Sequence, residues 1–461
     1  VTTQSFSNLP LKAELLSTLT DIGYTEMTPI QAQSLPAILE GKDVIGQGKT
    51  GSGKTAAFGL GLLNRLNVKR FRVQSLVLCP TRELADQVAI ELRKLARGIH
   101  NIKILTLCGG VPMGPQIGSL EHGAHIIVGT PGRILDHLDK GRLSLEEVNT
   151  LVLDEADRML EMGFQPALDA IFQDVPSNRQ TLLFSATFPT QIQSISRQIM
   201  NAPVMVKVES NHDSSSISQH FYQCNSNKDR MHALQLLLLK HQPESAVVFC
   251  NTKREVKDVA AVLDNEGFSV VALHGDLEQR DRDQMLLKFA NKSVTVMVAT
   301  DVAARGLDIE ALDAVINYDM AFDTEIHIHR IGRTGRAGSE GAAYTFFNHE
   351  DGYKIALLED YLKHDIKGEA LPDDSAMTNM PRTPIMTTLH IEAGKKNKVR
   401  PGDIVGALTG ENGIEGSEVG KIKVTDYRSY VAVKRDVAKR ALDKLSSGKI
   451  KGRTYRVWQL R

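Results

Sequence analysis

Between Val73 and Ser185 five short apolar runs recur, SLVLCP, KILTLCGG, HIIVGTP, TLVLDEAD and TLLFSAT, separated by longer amphipathic stretches such as ELADQVAIELRKLA. Uninterrupted apolar runs of strand length are buried on both faces, which means a parallel sheet covered by helices on either side. After the Ser-rich segment SNHDSSSIS the same grammar returns in AVVFCNT, VVALHGD, VMVATDVAARGLD and AVINYD, followed by HIHRIGRTGRAG. The repeat has no fixed period, so it predicts two tandem doubly wound α/β domains rather than a solenoid. With 461 residues the chain has room for about three domains at roughly 150 residues each. The expected boundaries are a first α/β domain over 1–209, a linker over 210–218, a second α/β domain over 219–366, a polar linker over 367–383 and a small domain over 384–461.

Each apolar run is followed at once by a small polar or charged cluster, which puts those clusters at the strand C-terminal ends, the rim where open α/β sheets bind ligands. One of them, KDVIGQGKTGSGKT from Lys42 to Thr55, fits two patterns. Gly46, Gly48 and Gly51 spell G-x-G-x-x-G, but the dinucleotide reading needs an acid roughly 20 residues further on. No Asp or Glu occurs from Ala56 to Arg82. The residues Gly48, Lys49, Thr50, Gly51, Ser52, Gly53, Lys54 and Thr55 spell G-x-x-x-x-G-K-T, the phosphate loop: backbone amides for phosphate oxygens, a Lys for the terminal phosphates and a hydroxyl for Mg2+.

The run LVLDEAD ends with Asp154 and Glu155 side by side. Beside a phosphate loop, Asp154 is placed to hold Mg2+ through water and Glu155 to orient and polarise the attacking water. Adjacent acids also suit the first turn of a solvated helix, and the phosphate loop decides against that reading. HRIGRTGR spaces Arg330, Arg333 and Arg336 three apart, a pattern that can reach phosphates across a domain interface as arginine fingers, worth roughly 10³ to 10⁵ in rate. These parts together describe a nucleoside triphosphatase whose turnover requires two domains to close.

Charge and cysteine usage narrow the class. The chain is neutral overall, yet residues 384–461 hold 17 Lys and Arg against 8 Asp and Glu, a net of +9, leaving −9 on the rest. A basic tail on an acidic body is the mark of a polyanion-binding appendage. No apolar run reaches the roughly 18 residues of a membrane span, and the opening VTTQSFSNLP has neither the basic start nor the apolar core of a secretion signal. The four cysteines form no C-x-x-C pair and sit mostly in apolar runs, so reduced core thiols and a cytoplasmic location are expected. Neither His327 with His329 nor His122 with His125 has companions at zinc-ligand spacing, and no zinc site is expected.

In the tail, IMTTLHIEAG, GKIKVTDYRSYVAV and GRTYRVWQL read as strands, and RPGDIVGALTG and RDVAKRALDKLSSG as helices, the order of a small RRM-like α+β sheet. The stacking aromatics of such sheets are missing apart from Tyr430. Lys395, Lys396, Lys398 and Arg400, with Lys449, Lys451 and Arg453, are therefore expected to carry the RNA contacts, with Tyr430 beside them.

The ordered set of motifs resembles the DEAD-box RNA helicases over nearly the whole chain: Gln31 in MTPIQ with Phe6 upstream, the phosphate loop, PTRELA, Gly109-Gly110, TPGR, DEAD, SAT, HGD, Gln279 with Arg282, TDVAARGLD and HRIGRTGR. The resemblance implies two RecA-like domains and an ATP- and Mg2+-dependent RNA helicase. It implies that Gln31 reads adenine, that Phe6 and Tyr24 shape its pocket, and that Asp308 also serves the nucleotide. Pro80, Thr81, Arg82, Glu83, Gly110, Thr130, Pro131, Gly132, Arg133, His274, Gly275, Thr300 and Asp301 would line a sequence-blind RNA path, while Ser185, Ala186 and Thr187 would couple it to nucleotide state. Gly48 departs from the Ala usual in the family. The tail resembles that of the DbpA branch, which implies large-subunit rRNA and pre-50S particles as partners; nothing in the sequence resembles a dimerisation stripe, and a monomer is expected. A general RNA chaperone or ATP-gated clamp, and a DNA translocase of similar plan, are the rival readings.

Overall fold

The first apolar runs fold into parallel strands, and the computed structural model describes residues 5–48, 51–208, 217–304, 312–335 and 341–460. The expected roles of Lys49, Thr50, Asp308 and Arg336 lie outside these. The described residues form two compact units that part between Val208 and Ile217. In the first unit β1 (Val44–Gln47), β2 (Ser75–Leu78), β3 (Ile104–Leu107), β4 (Ile126–Gly129), β5 (Thr150–Asp154), β6 (Gln180–Ser185) and β7 (Val204–Lys207) make one sheet in the order β3-β4-β2-β5-β6-β1-β7. Every pairing is parallel. Alternate residues enter opposite cores: Val44, Val77, Val152 and Leu182 pack on one face and Ile45, Leu76, Leu151 and Leu183 on the other. This explains why the runs are continuously apolar.

Gly46, which gave the chain its apparent dinucleotide pattern, has a packing reason instead. A Cβ on it would sit 2.4 Å from the Phe184 ring, which lies across β1 and meets Phe58 at 5.4 Å. Asp43, buried just before β1, accepts from the backbone N–H of Thr181 (2.7 Å) and of Asn201 (2.6 Å), pinning the entries of β6 and β7 to β1.

The second unit opens with β8 (Ile217–Gln223), followed by β9 (Ala246–Phe249), β10 (Val270–Leu273), β11 (Val296–Ala299), β12 (Ala314–Asn317) and β13 (Gly341–Phe347), in the order β10-β11-β9-β12-β13-β8 and again all parallel. Here the expected boundary needs correcting: Ile217 and Ser218, assigned to the linker, already pair with Gly341 and Ala342 as an edge strand.

The tail is an antiparallel sheet of β14 (Met386–Ile391), β15 (Val419–Val424), β16 (Ser429–Lys434) and β17 (Val457–Gln459), ordered β15-β16-β14-β17, with helices Pro401–Thr409 and Ala438–Ser447 packed on its Leu389, Ile391, Val431 and Val433 face. It belongs to the same compact unit as the second α/β sheet. The stretch 367–383, expected to be a linker, is a packed strap along helix Asn227–His241. Asp374 meets His232 (2.9 Å), Asn379 donates to Leu239 O, and Arg382 bonds both Gln242 O and Glu244. Beyond the strap, Thr388 Oγ1 of β14 is buried between Asn291 Nδ2 (3.1 Å) and Ser293 Oγ (2.6 Å). Polar composition suggested a linker, but the polar groups here are committed to partners. All four cysteines are buried and reduced, and burial pushes the Cys224 thiol up to about 11 and that of Cys108 to about 12.

Asp43→Ala leaves the buried N–H of Thr181 and the partly buried N–H of Asn201 without an acceptor. At roughly 1–3 kcal/mol for the first and about 1 kcal/mol for the second, it should lower the stability of the first unit by about 2–4 kcal/mol in urea unfolding, without moving the second unit's transition.

Candidate active site and RNA path

Because β6 lies between β1 and β5, three functional segments leave the sheet side by side: the phosphate loop after β1, Ser185-Ala186-Thr187 after β6, and Asp154-Glu155 at the end of β5. The register pairs Gln47 with Ser185 and Asp154 with Phe184. The loop is tied to its neighbour by Gly48 N–H donating to Ser185 O (3.0 Å) and Gln47 Nε2 to Ala186 O (3.3 Å). Gly51 (φ 84°) and Gly53 (φ 94°) take the left-handed backbone that turns the chain into helix Lys54–Arg65. Lys54 is buried and its ammonium donates to Gly48 O at 2.7 Å. At Gly48 a Cβ would meet Ser52 Oγ at 3.2 Å, the rim of a flexible side chain, so the space for the family's Ala is nearly there.

Burial pushes the Asp154 carboxyl up to about 7, against the pull of the Lys54 ammonium and with the help of Glu155. A carboxyl so poorly stabilised as an anion, on the same rim as the Thr55 hydroxyl, is an oxygen set that suits a hard divalent cation. Glu155 is held left-handed at φ 52°, ψ 53°, a conformation that non-glycine residues adopt at a cost of roughly 1–3 kcal/mol and that clusters at functional sites.

The third acid of the motif, Asp157, was not singled out by spacing. It is buried, accepts from Thr187 N–H (2.9 Å) and Thr187 Oγ1 (3.0 Å), while its own N–H donates to Ser185 Oγ (3.3 Å). Ser185 and Thr187 are thus joined directly to the acid motif, which is the connection a coupling element needs. A hydroxyl-bearing strand end facing an acid two residues past Asp154-Glu155 was the available signal.

Of the adenine-pocket candidates, Gln31 is buried and spans from the Thr28 N–H, which donates to its Oε1 (2.9 Å), to Gly53 O, which accepts from its Nε2 (3.1 Å). It therefore touches the phosphate loop itself. Phe6 is 3% exposed within the first core, and the Tyr24 hydroxyl donates to Glu91 (2.8 Å) while accepting from Lys94 (3.2 Å). Both are packed against protein in this conformation.

Along the expected RNA path the side chains mostly shape the backbone. Thr81 Oγ1 caps helix Arg82–Leu95 by accepting from Leu84 N–H, and Pro80 is buried. Arg82 approaches Asp86 at 3.6 Å. Thr130 Oγ1 accepts from Gly109 N–H, and both terminal nitrogens of Arg133 donate to Val111 O at 3.2 Å. The Gly109-Gly110 turn and TPGR are therefore one assembly, from which Gly110 (φ 73°) and Gly132 stand exposed. In the second unit Gly275 is exposed beside Asp276, which pairs with Lys253 (2.6 Å) and Lys257 (3.3 Å). His274 and Thr300 are buried, and burial followed by the Lys257 charge holds the His274 imidazole below its ordinary range.

Arg330 corrects the arginine reading. Although it shares the spacing of the trio, it is 1% exposed and its guanidinium is fully engaged. Nε and Nη2 clamp the two oxygens of Asp301 (2.7 and 2.8 Å), Nη2 also reaches Asn251 Oδ1 (2.8 Å), and Nη1 reaches Asp319 O (2.7 Å). It cannot extend to a phosphate. The same bonds take up the Asp301 carboxylate, expected on the RNA path, so its charge is already committed within the protein. Arg282, of the Q-x-x-R element, holds the same segment through Ala303 O (2.9 Å). Arg333 lies half-buried just past helix Thr324–Ile331. Cys250, Glu255 and Asp319 cluster nearby, with Arg230 paired to Asp319 supplying the positive charge.

Tyr430 needs correcting as well. It is 7% exposed and stacked on His390 at 4.8 Å, with Trp458 edge-on to His390 at 4.0 Å, so it presents no open face. Lys395, Lys396, Lys398, Arg400, Lys449, Lys451 and Arg453 are all exposed, and Lys451 Nζ donates to Lys398 O (3.0 Å), which draws the two basic loops together.

Fold, rim and motif order agree with the family comparisons. Residues 28–195 match the DEAD/DEAH box helicase model, 229–338 the helicase conserved C-terminal domain and 388–459 the DbpA RNA binding domain. The chain belongs to the DEAD-box ATP-dependent RNA helicases, which are hydrolases of ATP. Within them it is of the DbpA type: it is 54% identical over 442 residues to ATP-dependent RNA helicase DbpA of Escherichia coli (strain K12), covering 96% of both chains. DEAD-box ATP-dependent RNA helicase CshA of Geobacillus kaustophilus is 43% identical over 84% of this chain and 83% of its own. Among solved structures, S. cerevisiae Dbp5 bound to RNA and ADP BeF3 superposes with a TM-score of 0.72 at 30% identity, over 81% of this chain and 97% of that one. Among the described residues no helix is long and apolar enough to cross a membrane.

Arg330→Ala removes the side chain that clamps both oxygens of Asp301 and leaves that carboxylate uncompensated. The second unit should lose about 3–5 kcal/mol in urea unfolding, and Arg330→Lys, which keeps charge but not the planar fork, should recover only part of it.

Proposed function

We propose that this RNA helicase is anchored by its C-terminal domain on a hairpin of large-subunit (23S) rRNA and uses ATP to open short RNA duplexes nearby during late assembly of the 50S subunit. The observation that carries this reading is the convergence of the exposed basic loops around Lys395–Lys398 and Lys449–Arg453 on a domain that matches an RNA-binding family. A core whose RNA-path candidates are glycines, capped helix starts and backbone amides suits sugar-phosphate contact without base readout. Specificity then has to come from elsewhere, and the tail is the part with the charge to supply it.

In this reading Lys54 and the loop amides bind the ATP phosphates, and Glu155 orients the attacking water. Asp154 and Thr55 would hold Mg2+, largely through water, which when bound supplies charge neutralisation at the phosphates. Arg333 and Arg336 act on the developing charge when the two α/β domains close. Ser185 and Thr187, joined to Asp157, relay the occupancy of the site to the RNA path. The partners are large-subunit rRNA and pre-50S particles, met by a monomer in the cytoplasm.

The test is steady-state ATPase activity at fixed salt with no RNA, generic RNA and a tiled set of large-subunit rRNA fragments, because polyanion binding depends on salt. Strong stimulation confined to one hairpin-bearing fragment is expected. Equal stimulation by every RNA would refute the anchoring and leave a general RNA chaperone, and stimulation without ATP-dependent strand separation would leave a clamp. Arg333→Ala should lower turnover by roughly 10³-fold or more with little change in ATP binding.

A further inference from the structure

RRM-like sheets present aromatic rings on their open face for bases to stack on, and in this tail that platform is not available. His390, Tyr430 and Trp458 pack against one another across β14, β16 and β17, with His390 and Tyr430 buried. Two residues along β14, Thr388 is buried against Asn291 and Ser293 of the second α/β domain. Trp458 and Tyr455 are half-buried, and the Arg456 guanidinium lies 5.9 Å from the Trp458 ring centre. Among the described residues of the tail, the aromatic ring that stands open is Tyr427, 68% exposed at the tip of the β15–β16 hairpin.

Single exposed hydrophobic side chains are ordinary, so exposure alone says little. The surroundings of Tyr427 say more. The turn that carries it is fastened to the first basic loop by Lys395 N–H donating to Thr425 O and Lys396 N–H donating to Asp426 O, both at 2.9 Å. The contact is so close that a Cβ on Gly394 would sit 2.3 Å from Thr425 O and 2.6 Å from the Asp426 backbone. The first basic loop is in turn fastened to the second through Lys451 Nζ and Lys398 O. Three loops thus meet at one end of the domain, bringing Tyr427 and the half-buried Arg428 to the exposed Lys395 and Lys396, with Asp426 the acid among them. A ring set among cations is the combination that holds unpaired nucleotides: the ring takes a base by stacking and the cations take the flanking phosphates.

We propose that Tyr427 is the stacking platform for an unpaired base of the RNA held by the tail, with Lys395 and Lys396 on the adjoining phosphates. The inference rests on the reading of the tail as the RNA-anchoring part and names the side chain that grips a loop base there. An aromatic platform at a hairpin tip, outside the sheet, also accounts for a tail that binds RNA without the usual sheet aromatics.

The full-length protein is titrated into labelled hairpins from the large-subunit rRNA and into scrambled hairpins of the same composition, over a range of salt, with a fluorescent adenine analogue in the loop. Tyr427→Ser is expected to weaken hairpin binding roughly 5- to 150-fold, the effect of losing one base–aromatic stack, and to abolish quenching of the loop analogue. Its salt dependence should match the parent's, since no charge is lost. Tyr427→Phe, which keeps the ring, should bind and quench as the parent does, whereas Lys395→Ala with Lys396→Ala should flatten the salt dependence. Parent-like affinity and quenching in Tyr427→Ser would overturn the proposal while leaving the anchoring reading standing. Equal binding of cognate and scrambled hairpins by the parent, with Tyr427→Ser weaker on both, would refute the anchoring and keep the platform.

Discussion

The insertion of β6 between β1 and β5 is the constraint on which the rest of the chemistry depends. Parallel pairing makes all three strands end on one rim, and the fixed register sets the phosphate loop, the Ser185–Thr187 segment and the two acids next to each other before any ligand is involved. The residues that guarantee this placement are not chemical. Gly46 gives the Phe184 ring room to lie across β1, and Asp43 pins the entries of β6 and β7. A rim assembled this way is preorganised: the bond from Gly48 to Ser185 ties the phosphate loop to the end of β6, and the bond from Thr187 to Asp157 ties that same end to the acid motif.

In the second α/β domain a buried cation plays the corresponding part. Arg330 commits its donors to four residues drawn from two strand ends, those of β9 and β12, and the start of helix Asp301–Ala304. Buried ion pairs give little net stability, because desolvation offsets most of the attraction, but breaking one is strongly destabilising. Such a residue fixes a conformation more than it strengthens a fold. The segment it fixes, Asp301 to Ala304, is also held by Arg282, so two separate motifs converge on one short helix.

The strands were legible because burial on both faces leaves a continuous apolar run, and the rim was legible because polar residues follow each run at once. The site glycines at 51 and 53 were legible through the pattern, and the structure adds their left-handed backbone. What escaped was whatever depends on the depth of a side chain. Arg330 and Arg333 stand three apart in the same motif, and spacing cannot tell that one is sealed in and the other half-open. Tyr430 carried the look of a stacking residue, yet its strand turns it against His390, while Tyr427 three residues earlier falls on the turn and stays outside. The stretch 367–383 has the composition of a tether, and nothing in composition reveals that Arg382 and Asn379 would find carbonyls on helix Asn227–His241 and at its end.

That strap has a consequence for how the two functions of the chain are joined. A domain on a free tether searches a volume, and its effective concentration at a neighbouring site falls steeply as the tether lengthens. Here the stretch from Lys367 to Thr383 is not slack, since its polar groups are committed along one helix and the tail is seated at Thr388. The search has been replaced by an address: an RNA gripped by the tail is delivered to the second α/β domain at a distance written into the fold, and the entropy of bringing them together is already settled when the chain folds.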